Sequence, residues 1–166
     1  MRDLLVESLL TAAGGNVDYA KNLTADLSAE QMVAQPAAGA NHPAWVLSHL
    51  NAYHPVIAGL LQGEVPTDPI EHEFGMRSKP VADVSAYASR DELIAAFEAG
   101  HAAMRAALEA VTEERLLAPM PIERWAKKFP HVGSMLPYVY ARHEGMHLGQ
   151  VSAWRRLQGL ASVKGG

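Results

Sequence analysis

The sequence predicts an all-α domain, a bundle of four helices with long crossover connections. Three observations predict it. Apolar residues recur at three- and four-residue spacing in four long stretches, no stretch alternates convincingly with the two-residue period of a strand, and capping residues or glycine mark several boundaries. At 166 residues the chain reads as one domain, 1–166, long enough to bury a single sizeable core.

The first helix is expected over about 2–23, with Leu5, Leu9, Ala12, Asn16, Tyr19 and Leu23 on one face and Gly14 and Gly15 weakening its middle. Ser28-Ala-Glu-Gln31 is a capping box for a short connecting turn. Asn41 as N-cap and Pro43 in the first turn open a second helix to about Gln62, which Pro55 should kink. Residues 63–88 lack periodicity, and loops of that length in a compact domain are often functional. A second capping box, Ser89-Arg-Asp-Glu92, starts the third helix, with a stripe of Leu93, Phe97, Gly100, Met104, Ala107, Leu108 and Val111. A loop rich in proline and aromatics, 119–132, leads to the fourth helix over about 134–158, stopped by Gly159.

Composition removes several function classes. A formal charge of −4, with 14 Lys and Arg scattered singly, offers no basic stripe for a phosphate backbone, so nucleic acid is not an expected partner. The absence of cysteine excludes disulfides, a thiolate nucleophile and Cys-type metal sites, leaving His and carboxylate as ligands. Asp3 and Glu7 interrupt what would be a signal core, and a cytoplasmic location is expected. Residues 31–63 carry no Asp, Glu, Lys or Arg, yet Ser48, His49, Asn51 and His54 are costly in hydrocarbon, so the segment reads as a covered helix and no membrane partner is expected.

The chemistry concentrates in the histidines. His143-Glu-Gly-Met-His147 spells HExxH, the zinc-protease signature. The nineteen residues after His147 contain no His, Asp or Glu, so the third ligand of that protease class is missing and the peptidase reading fails. At about 100° per residue, His143 and His147 lie within about 40° of one another, on a stripe with Leu136, Val139, Tyr140, Met146, Gln150, Trp154 and Leu157. His49 is centred on a stripe with Trp45, Val46, Ala52, Tyr53, Val56 and Leu60. Three imidazoles thus point into the bundle, the first shell of a metal site with one open position, and a shared ion would satisfy all three. Glu144 lies at the flank of its stripe, as a surface residue or one supporting the ligands. His54 points away among leucines, His101 flanks the third helix, and His42, His72 and Glu73 read as loop residues.

Two segments, NHPAWVLSHLNAYH and YARHEGMHLGQVSAWRR, resemble the hallmark regions of the DinB/YfiT-like superfamily. The resemblance implies a four-helix bundle with a three-histidine metal site, and it maps that triad to His49, His143 and His147, the residues periodicity had selected. Relatives of this kind include S-transferases and isomerases that use a low-molecular-weight thiol, and metal-dependent hydrolases. It therefore implies a divalent metal, with zinc, nickel and iron all accepting imidazole, and a thiol cosubstrate supplied from outside. Trp45, Tyr53, Gln150 and Trp154 are expected to line the substrate pocket, although the two tryptophans also fit plain core packing.

A ridge of small residues, Ala141, Gly145, Gly149 and Ser152, together with the uncharged second helix, suggests a homodimer. Three readings stand at this level: a metal-dependent transferase or hydrolase, a non-enzymatic metal or small-ligand binding module, and a metal-free helical dimer.

Overall fold

The computed structural model describes residues 2–164. It is all-α, and among the described residues the only bridge pairing is the isolated one between Pro119 and His131. No helix among them is long and apolar enough to cross a membrane.

The first helical run is two helices, α1 (Arg2–Ala13) and α2 (Asn16–Thr24), because the Gly14-Gly15 pair predicted as a weak point breaks it outright. Ser28 caps α3 (Ala29–Met32) as a full capping box. The central α4 (Pro43–Gln62) is capped by His42 rather than by Asn41. His42 is fully buried, its Nδ1 accepting from Trp45 N (3.2 Å) and its Nε2 donating to Val81 O (3.0 Å), so it is a structural cap and not a loop residue. The helix continues through Pro55 and ends at Gly63, whose φ of 97° is the left-handed conformation a glycine adopts without strain.

Residues 63–88 carry only two 3-10 turns, Pro69–Glu71 and Val84–Ala86. Ser89 caps α5 (Arg90–Ala110) by the expected box. Short helices α6 (Glu113–Leu117) and α7 (Glu123–Ala126) precede α8 (Val132–Pro137), which passes through a π-helical segment, Tyr138–His143, into α9 (Glu144–Leu157). The fourth run is therefore not one regular helix. Pro137 offers no N–H and its ring crowds the carbonyl one turn back, and the looser winding follows at once. Two of the four expected rods are thus composite.

Two apolar clusters form the core. One gathers Leu9, Ile57, Leu60, Leu108, Met135 and Leu136, the other Leu23, Val46, Leu47, Phe97, Leu148 and Trp154. On each long run the residues between the two clusters are polar: Asn16 on α2, His49 and His54 on α4, His101 on α5, and His143, Glu144 and His147 at the π-to-α9 junction. The interior is therefore two hydrophobic cores separated by a polar layer, an arrangement that persists only when the layer's groups satisfy one another. Buried Arg155 ties α9 to the end of α2 through both oxygens of Asp26 and through Leu23 O.

Candidate metal centre

The layer brings His49, His143 and His147 together, with one ring nitrogen of each lying within 4.8 Å of the others. His49 comes from the middle of α4, His143 from the last π residue and His147 from the first turn of α9. His49 Nε2 is 3.2 Å from His143 Nε2.

Outer partners orient two of the rings. His49 Nδ1 donates to Phe74 O (2.7 Å), and His147 Nδ1 lies 2.9 Å from Gln150 Oε1, which also accepts from Asn41 Nδ2 (3.0 Å). With Nδ1–H committed outward, Nε2 of each ring presents its lone pair inward, the tautomer that metal-ligating histidines adopt. Burial, reinforced by the neighbouring His147, pushes His49 down to about 4, and burial with His147 and His49 pushes His143 down to about 3. His147 is lowered chiefly by burial. All three are neutral at neutral pH, the state a metal requires. In the metal-free chain His49 Nε2 accepts from His143 Nε2, and a cation taking the place of that proton would engage all three ring nitrogens, so these residues fit a divalent ion of borderline softness.

Above the triad is an open cavity of about 450 Å³. Trp45, Tyr53, Trp125, Phe129 and Tyr138 form its walls, Arg124 and Lys128 bring positive charge, and Met76 and Met146 complete it. Trp45 stacks on His49 with ring centres 4.8 Å apart, and Tyr53 lies 4.8 Å from the same ring on its other side in sequence. Arg124 is held by both oxygens of Asp68 (2.6 Å each), whereas Lys128 Nζ sits 4.0 Å from the Tyr138 ring centre. Among the described residues no carboxylate lines the cavity.

Of the expected pocket residues, Trp45 and Tyr53 are in this lining and Gln150 and Trp154 are not. Gln150 holds the triad from behind, and Trp154 is core, its Nε1 donating to Ala34 O (2.7 Å). Tyr140 leaves the triad stripe as well: the π winding turns it inward, where its hydroxyl donates to Met104 O (2.9 Å). Leu157 is exposed. Glu144 is 2 % exposed rather than at the surface, and it faces His54 and His101 on another side of the helix, not the triad. His72 and Glu73 are exposed, as a solvated loop would be.

The sequence reading missed Phe74 and Met76, from the long connection, and Arg124, Lys128 and Phe129, from the aromatic loop; the aromatic content of 119–132 was the available signal.

An all-α fold with a triad of inward imidazoles that could hold a metal, under an aromatic-walled cavity, defines the class of protein. A family comparison matches residues 17–151 to the DinB superfamily, and the chain belongs to it. Comparison with curated proteins and with solved structures gave no match.

Proposed function

We propose that the chain is a metal-dependent transferase of the low-molecular-weight thiol type, with His49, His143 and His147 holding one divalent ion. A metal there, whether zinc, nickel or iron, would acidify a water or thiol at its open position and supply a nucleophile at neutral pH. The chain's residues do the rest. The three imidazoles bind, Phe74 O and Gln150 keep His49 and His147 in the ligating tautomer, and Trp45, Tyr53 and Trp125 shed water and orient an apolar substrate portion. Lys128 and Arg124 favour a substrate with an anionic group.

The observation that favours thiol transfer over hydrolysis is the lining itself. A hydrolase of the HExxH type needs a carboxylate to take the proton of water, and Glu144 is turned away from the triad. A thiol ionises more readily and needs no such base. With no cysteine in the chain, the thiolate comes from the cosubstrate. Gly145 and Gly149 leave open space on the outer face of α9, which supports the homodimer as part of the same reading.

Metal content of purified protein, compared with His49→Ala and His147→Ala, tests the centre: the expected result is about one equivalent lost in each variant, and full retention in both overturns the ligand assignment. Turnover of electrophilic small molecules with and without added thiol tests the chemistry. Equal turnover without thiol favours the hydrolase, and metal retention with no turnover under either condition favours a binding module.

A further inference from the structure

The polar layer contains a second group that the triad and its cavity do not use. Glu144 of α9, His54 of α4 and His101 of α5 bring one ligand atom each within 4.8 Å of the others. Glu144 Oε1 is 3.2 Å from His54 Nε2, and Oε2 is 3.1 Å from His101 Nε2. Asn16 of α2 donates to the same Oε2 (2.7 Å). We propose that His54, His101 and Glu144 form a second, separate site for a divalent cation of zinc-like chemistry.

Four features carry it. Two imidazoles and one carboxylate are a ligand set that zinc accepts in tetrahedral sites. The carboxylate has an outer partner in Asn16, as ligating carboxylates do. His101 Nε2 is buried yet has no hydrogen-bond partner: Oε2 is near enough to pair with it, but the ring does not align with it as a hydrogen bond requires. That nitrogen is aimed into the cluster, and a cation there would engage it. Finally, His101 lines a cavity of about 310 Å³ reaching the surface between α1, α2 and α5, beside Glu98 and Arg105, so an ion has a way in. This cavity shares no lining residue with the one above the triad.

The two ligand sets are disjoint, so the second site stands or falls independently of the first. Its position at mid-height, with His54 and Glu144 sealed from solvent, gives it a structural role: an ion there would tie α4, α5 and α9 together, with α2 joined through Asn16. His54 Nδ1 packs against Gly100 without a partner, so the site holds its ion less tightly than one in which every ligating imidazole is supported.

The test is equilibrium dialysis of the full chain, stripped with chelator, against zinc(II), read by elemental analysis. Two equivalents are expected for the natural chain, one for His101→Gln, one for His49→Ala, and none for the double variant. A single equivalent in the natural chain that His49→Ala removes and His101→Gln leaves untouched overturns the proposal and makes the cluster an ion-paired network only. Two equivalents that survive His101→Gln overturn it equally. Should His101→Gln fail to fold, X-ray absorption on zinc-loaded His49→Ala decides: mixed nitrogen and oxygen ligation at about 2.0–2.2 Å is expected, and no bound zinc contradicts the site.

Discussion

His143 and Glu144 are consecutive residues, yet they belong to two clusters that differ in nearly every respect. On one side of the helix three imidazoles face one another beneath an open, aromatic-walled cavity. On the other, two imidazoles and an amide enclose a carboxylate in the packed interior. Both clusters draw on α4 and on the start of α9, so depth does not distinguish them. Neighbours do. An imidazole buried among imidazoles is kept neutral, because burial and like charge both oppose a proton. For Glu144 burial alone would raise the carboxyl, but the adjoining His101 and His54 outweigh it and hold it at about 2. One helical step thus separates a neutral imidazole cluster that could hold a metal from a fixed negative charge.

Acid should separate the two sides most visibly. In the metal-free protein the unfolded imidazoles take protons near 6.5, whereas folded His49 waits until about 4 and His143 until about 3, so the unfolded state binds more protons between these values. Stability therefore falls as pH drops below about 6.5, by on the order of 8 kcal/mol across that window with both rings counted at about 1.4 kcal/mol per unit. Glu144 acts in a lower window: the unfolded carboxyl protonates near 4.5 and the folded one near 2, so its contribution is complete above 4.5 and lost on the way down to 2. Urea unfolding at stepped pH on the chelated chain checks this. His49→Ala should flatten the upper window and spare the lower, and an unchanged upper window would break the contrast.

Replacing Glu144 with alanine leaves His54, His101 and Asn16 without the carboxylate they face. Breaking a buried pair in this way is expected to cost about 3 kcal/mol in chemical denaturation, whereas His143→Ala, which removes a neutral imidazole bordering the open cavity, should cost clearly less. Equal losses would show that the two clusters are equivalent supports of the fold.

Gln150→Ala sharpens the triad side alone. It strips the outer partner from His147 while leaving all three ligands, and metal affinity should fall about 10- to 100-fold in a competition titration. No change would mean that the tautomer is set by something other than Gln150.

The smallest effect is expected on the carboxylate side from Gly100→Ala. A Cβ there would sit 2.2 Å from His54 Nδ1, so the ring must move off Glu144. Overpacking costs about 1–3 kcal/mol and the gain in helix propensity offsets about 1, leaving a net loss of about 1 kcal/mol by thermal melt. A stabilised variant would contradict the tight seat of His54.

The contrast also explains what the sequence could and could not reveal. His49, His143 and His147 were legible because two lie one turn apart and the third centres a helix without charge. The stripes of α5, both serine capping boxes and the Gly159 stop were legible for the same reason, being local patterns. Tyr140 was misplaced because regular 100° winding was assumed across Pro137, where the chain takes up π winding. Glu144 was read as flanking because its partners Asn16, His54 and His101 come from three other helices, and no pattern within one segment reports them. Phe74 and Lys128 reach the centre from segments without periodicity. A histidine before proline suggests an extended loop residue at His42; the backbone is extended, and that is the conformation an N-cap adopts.

The most direct measurement is an anomalous difference map from crystals of the protein loaded with zinc. A peak is expected about 2.0–2.1 Å from a ring nitrogen of each of His49, His143 and His147, at the floor of the aromatic cavity. Imidazoles hydrogen-bonded to one another or to water, with no peak among them, would contradict it.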